Sequence, residues 1–76
     1  MIGRIRSALK NGGFSDVPES ASVALSDHGM DSLLLATGVL ELEEEFSIRI
    51  PADRIQPEAF ATLTAIEALI LSLGGK

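Results

Sequence analysis

Asp27, His28, Asp31 and Ser32 bring two carboxylates, an imidazole and a hydroxyl into one short stretch of chain. Three chemistries fit such a set. A serine nucleophile activated by His28 and oriented by an aspartate is the first. It also requires a shaped pocket and an oxyanion hole, which a domain of this size can hardly build. A metal site is the second. Two carboxylates and one histidine at a loop-to-helix turn match no recognised ligand spacing, so a surface cluster without metal is expected, with His28 an ordinary loop residue. The third is structural. Asp and Ser are preferred helix caps, because their side-chain oxygens accept hydrogen bonds from the unpaired amides of a first turn.

The choice depends on the elements around the cluster. Ile2, Ile5 and Leu9 recur at steps of three and four and, with Ala8, give Ile2 to Lys10 one apolar face, which predicts a short first helix. Asn11-Gly12-Gly13 ends it, since glycine supplies left-handed conformations at helix termini. Phe14 to Asp31 holds Pro18, several serines and no sustained period. It is expected to be a long loop that Phe14, Val17, Val23 and Leu25 pin to the core, and loops of that length are usually functional or mark a misassigned element. Asp31-Ser32 then opens the strongest helical pattern, with Leu35, Val39, Leu42 and Phe46 at steps of four, three and four. Gly38 inside that helix costs about 1 kcal/mol relative to alanine, which close packing or slight flexibility must offset.

Ser47 to Pro51 alternates like a strand, but no partner strand follows, so it is expected to be an extended connector. Pro57 suits the first position of a short helix that turns Ala59 and Phe60 inward. Thr62 or Thr64 caps a last helix, Thr64 and Glu67 having capping-box spacing. Leu63, Ile66, Ile70 and Leu73 form its buried stripe, and Gly74-Gly75 closes it.

The chain has 76 residues, no cysteine, and eleven acidic against six basic residues for a net charge of -5. A single domain of this length buries only about 60% of its unfolded surface, and without disulfides or thiolate metal sites helix packing must hold it together. The excess negative charge argues against nucleic acid, whose phosphates need clustered Lys and Arg. No apolar run approaches the roughly 20 residues that span a bilayer, and no secretory signal opens the chain, so a soluble, cytoplasmic protein is expected. Asp27 to Glu45 contains Asp27, Asp31, Glu41, Glu43, Glu44 and Glu45 with no Lys or Arg. Such a face is either a solvated surface that keeps a small protein in solution or a docking surface for basic enzymes.

Gly29, Asp31, Ser32 and Leu33 match the Gly-x-Asp-Ser-Leu attachment motif of the acyl carrier protein family, which this chain resembles. The glutamate-rich helix end at Glu43 to Glu45, and Ile48, Ile50 and Pro51 after it, match in family order over about Val17 to Leu73. The resemblance implies an all-α four-helix bundle with three main helices, one short helix and a long loop after the first. It implies a 4'-phosphopantetheine arm on Ser32, beside Asp31 and Gly29, placed there from coenzyme A by a phosphopantetheinyl transferase with magnesium present. A helix N-terminus suits a phosphodiester, because free amides and the helix dipole favour negative charge. The arm would also bring the thiol that a cysteine-free chain lacks.

Upper helix two, Leu33 to Leu40, is uncharged where many fatty-acid carriers place acidic residues. Leu33, Thr37, Leu40 and Glu44 fall on one side of it, offset from the core stripe. Partners are therefore expected to read Leu33, Thr37 and Leu40 by apolar contact, with Glu41 and Glu44 steering by charge. Gln56 to Phe60 is similar to the Thr-Pro-Glu-Asn-Phe segment of free-standing aminoacyl and peptidyl carriers. The expectation is one carrier domain over residues 1–76, a free-standing, non-catalytic, monomeric carrier of acyl, aminoacyl or peptidyl thioesters in specialised biosynthesis. Its partners would be the transferase, a loading ligase and downstream enzymes, with no nucleic acid and no membrane. A fatty-acid-synthesis carrier is one alternative, and a helical interaction module that never receives an arm is another.

Overall fold

Apolar residues at steps of three and four coil the first segment into α1 (Ile2–Asn11), which buries Ile5, Ala8 and Leu9. In the computed structural model, which describes residues 1–75, α1 packs against α2 (Ser32–Phe46) and α3 (Leu63–Ser72). Three 3₁₀ turns, at Leu25–His28, Ala52–Arg54 and Pro57–Phe60, complete the all-helical architecture, and no strand occurs among the described residues. The short fourth helix expected at Pro57 is thus a single 3₁₀ turn, with Phe60 buried and Ala59 half-buried. Ile48 to Pro51 forms no strand, in keeping with its isolated alternation, but Ser47, expected to begin the extended connector, instead ends α2 in a left-handed turn.

Ile5, Leu9, Leu25, Leu42, Leu63, Ile66 and Ile70 are the largest fully buried side chains. Each contributes about 1.5 to 3 kcal/mol by leaving water. Of the stripe expected on α2, Val39, Leu42 and Phe46 are buried and Leu35 is partly so; on α3, Leu69 joins Leu63, Ile66 and Ile70, and Leu73 packs partly buried.

Close approach explains Gly38. A Cβ there would sit 3.0 Å from Leu9 Cδ2, and one on Gly12 would sit 3.2 Å from the Thr37 carbonyl carbon. The end of α1 therefore crosses the middle of α2 with almost no space between backbones, and the Thr37 hydroxyl donates a 2.7 Å hydrogen bond to the Gly12 carbonyl at that crossing.

The long loop is anchored as expected at Phe14 and Leu25, with Pro18 buried and Val17 half-buried against the core. Val23 is half-buried. The turn at Leu25–His28 was not foreseen, because one 3₁₀ turn buries one residue, Leu25, and leaves no period to read. Thr62, not Thr64, caps α3. The extended Thr62 accepts from the Ala65 amide at 3.0 Å, whereas the Thr64 hydroxyl and amide both donate to the Ala21 carbonyl, so no Thr64–Glu67 capping box forms. That pair of bonds fastens the long loop to α3.

Candidate functional site

The segment before α2 is built to end a turn and begin a helix within four residues. Leu25, fully buried, donates from its amide to the Ala61 carbonyl at 2.8 Å and so ties the 3₁₀ turn to the segment leading into α3. The turn closes at Gly29, with φ 94° and ψ 12°, a left-handed conformation that costs glycine little. A Cβ on Gly29 would meet nothing within 4 Å, so backbone conformation, and not space, sets the requirement for glycine. The Met30 amide donates back to the Leu25 carbonyl at 3.2 Å, and the chain enters Asp31 extended.

Asp31 is the N-cap. Its Oδ1 accepts from the Leu34 amide at 2.9 Å, and its carbonyl accepts from the Leu35 amide at 2.8 Å. Ser32 follows as the first residue of α2, exposed, and among the described residues no protein group bonds its hydroxyl. The amides of Ser32 and Leu33 likewise have no protein acceptor there. An exposed hydroxyl, two open amides and the positive end of a helix dipole suit a covalently held phosphodiester, and the adjacent Asp31 carboxylate is already engaged as the cap.

Around this point the structure sorts the residues read from the sequence. Leu33 and Leu40 are 73% and 64% exposed, which is unusual for leucines of a small core. Glu44 is exposed and Glu41 half-buried. Together with Ala8, Asn11 and Glu45 they line an open groove of about 250 Å³ between α1 and α2. Thr37 is half-buried and turned to α1 through its bond to Gly12, so its hydroxyl is occupied.

His28 faces away from nucleophile chemistry. Its Nδ1 lies 3.3 Å from Asp16 Oδ2 in the long loop, and no hydrogen bond joins it to Ser32. Nothing in the sequence marks that contact, because Asp16 lies in an aperiodic stretch. No group of three or more His, Cys, Asp or Glu capable of holding a metal ion occurs among the described residues, and no helix of the structure is long and apolar enough to cross a membrane.

The glutamates at the end of α2 also separate. Glu43 Oε2 accepts from the Ile50 amide at 2.7 Å, and Glu45 pairs with Arg4 at 2.9 Å. Neither role was legible in the sequence, where the four glutamates look alike.

A family model described as the phosphopantetheine attachment site matches residues 12–70. No curated protein and no solved structure shows a significant match. The matched span begins at the end of α1 and takes in the Gly29 turn, Asp31, Ser32, the whole of α2 and most of α3. On that match the chain belongs to the phosphopantetheine-binding acyl and peptidyl carrier protein family, whose members bear a covalent 4'-phosphopantetheine group.

Proposed function

We propose that Ser32 is the attachment residue, and that the chain carries acyl, aminoacyl or peptidyl groups between enzymes without catalysing a reaction itself. One observation carries this reading: within the matched span, Ser32 is an exposed, unbonded hydroxyl at the first position of a capped helix with two open amides beside it.

A phosphopantetheinyl transferase would use these residues in a defined way. Ser32 Oγ attacks the phosphorus of coenzyme A that bears the pantetheine. The new Oγ–P bond replaces the P–O bond to adenosine 3',5'-bisphosphate, which departs with the electron pair, and the hydroxyl proton passes to a base of the transferase. Asp31 keeps the first turn wound by holding the Leu34 amide, and Gly29 lets the preceding turn close clear of the serine. The amides of Ser32 and Leu33 would face the phosphodiester. The attached arm supplies a thiol on which an acyl group is held as a thioester.

Leu33 and Leu40 are the apolar anchors we assign to partner enzymes, with Glu41 and Glu44 supplying charge at the edge of that face. An uncharged upper helix and the Gln56 to Phe60 segment favour specialised biosynthesis over fatty-acid synthesis. The test is intact mass after incubation with coenzyme A, magnesium and a broad-specificity transferase. The parent chain should gain one arm and Ser32→Ala none, with helicity kept, because the Ser32 hydroxyl bonds no protein group among the described residues and Asp31 remains the cap. An arm gained by Ser32→Ala would move the site elsewhere. No gain by the folded parent would leave an interaction module.

A further inference from the structure

The turn that presents Ser32 is held by main-chain bonds on one side, at Leu25 and Met30. On the other side, among the described residues, one side-chain contact joins it to the long loop, His28 to Asp16. Three features make that contact more than an incidental surface pair. His28 Nδ1 is closed off from solvent and has no partner in hydrogen-bond geometry, so the neighbouring carboxylate at 3.3 Å is the polar group available to it. A bare nitrogen lone pair facing a carboxylate oxygen repels it, so the contact is attractive only with the proton on Nδ1. Asp16 is itself 77% exposed, but its backbone is fixed: Phe14 and Pro18, two residues to either side, are buried, and Arg6 donates to the Pro18 and Glu19 carbonyls at 3.3 and 2.8 Å. A carboxylate on a fixed stretch of loop thus faces the residue immediately before Gly29.

Gly29 follows this contact directly, and the turn is closed across it by the Gly29 and Met30 amides, which donate to the Ser26 and Leu25 carbonyls at 3.3 and 3.2 Å. Holding the Leu25–His28 stretch therefore holds the lead into Ser32. Gly29 itself has no side chain and no packing within reach of one, so rotation there meets little steric resistance. We propose that His28 is a positioning residue for modification of Ser32: Nδ1–H held against Asp16 fixes the Leu25–Gly29 turn, and with it the orientation in which the Ser32 hydroxyl meets a transferase. The inference rests on Ser32 being the attachment residue. Neither His28 nor Asp16 touches the reacting atoms; they act through the turn.

The unmodified full chain is tested in two ways. Steady-state transfer from coenzyme A should show His28→Leu lowering kcat by about fivefold while KM for the carrier moves less than about twofold, as when the competent orientation becomes a minor population. Asp16→Ala should match it, and the double variant should be no worse than either single one, since both remove one contact. His28→Asn places an amide nitrogen close to where Nδ1 lies and should recover most of the loss. In the second arm, amide hydrogen exchange at Gly29 and Met30 should quicken in His28→Leu and Asp16→Ala and stay near the parent value in His28→Asn.

Parent kcat together with parent exchange in Asp16→Ala overturns the proposal, even if His28→Leu fails to fold, because an exposed loop substitution leaves the core alone. Failure of His28→Asn to recover also overturns it, by showing that ring packing and not the donor matters. If the parent chain is never modified, the attachment reading falls. The exchange arm, which needs no transferase, still decides whether His28 holds the turn.

Discussion

The two ends of α2 are built on opposite plans. At its start one side-chain bond, Asp31 to the Leu34 amide, holds the first turn, while two amides, the Ser32 hydroxyl and most of Leu33 face solvent. At its finish nearly everything is tied. Phe46 is buried with the Arg4 guanidinium 4.3 Å from its ring centroid, and Arg4 also bonds the carboxylate and the carbonyl of Glu45. Glu43 reaches past the helix end to the Ile50 amide, its own carbonyl takes the Ile48 amide, and Ser47 adopts a left-handed φ of 53° to let the chain turn.

The difference explains glutamates that look misplaced. Carboxylates in a last turn oppose the helix dipole by about 0.3 to 1 kcal/mol each. No basic residue of α2 answers them, but Arg4 of α1 does, placing a cation at the C-terminal carbonyls from outside the helix. Exposed ion pairs alone contribute at most about 1 kcal/mol, and stacking over Phe46 adds about 0.5 to 1. With the far end fastened, the near end can stay bare without fraying the helix.

The sharpest way to break this comparison is to damage the bare face and look for a structural effect. Leu40→Asp should leave melting nearly unchanged, since Leu40 is 64% exposed. It should lower loading kcat/KM by about 30-fold at any salt, because a hot-spot contact is worth about 2 kcal/mol and the new carboxylate must be desolvated. Loading at the parent rate by folded Leu40→Asp would place the docking face elsewhere.

The converse substitution lies at the tied end. Glu43→Ala removes a charged acceptor from the half-buried contact with the Ile50 amide and should cost about 1 to 3 kcal/mol in denaturant unfolding. Loading should stay within about twofold of the parent, because Glu43 belongs to the connector clamp and not to the exposed face. A Glu43→Ala chain that keeps full stability but loads poorly would erase the distinction between the two ends.

Much of this was legible in the sequence, and what was not has a common cause. The start and end of α2 follow directly from the Asp31 cap and the step of four, three and four that ends at Phe46, because cap chemistry and burial act locally. The contacts that organise the site join distant residues: Arg4 to Glu45, Thr37 to Gly12, Asp16 to His28. Such pairings depend on how α1 and the long loop lie against α2, and no spacing within one segment encodes that. Thr62 and Thr64 show the same limit at short range. Either could cap α3 by residue type, and the choice fell to Thr62 because the loop carbonyl of Ala21 claims Thr64.

The smallest expected effect tests which glutamates steer partners. Glu43 and Glu45 are spent on the fold, whereas Glu41 and Glu44 border the groove toward α1 and the exposed leucines without a protein partner among the described residues. A charge at that edge acts on a basic partner before contact, so its main influence is on association. Glu44→Lys should slow loading by about two- to fivefold at low ionic strength, chiefly through KM, and leave melting unchanged because the residue is exposed. The deficit should fade as salt rises, since exposed charges are screened beyond about 8 Å at physiological ionic strength. Leu40→Asp should keep its deficit across the same series. Loading measured for both variants from low to high salt therefore separates steering from anchoring. A Glu44→Lys deficit that persists in high salt would make Glu44 a contact residue of the interface.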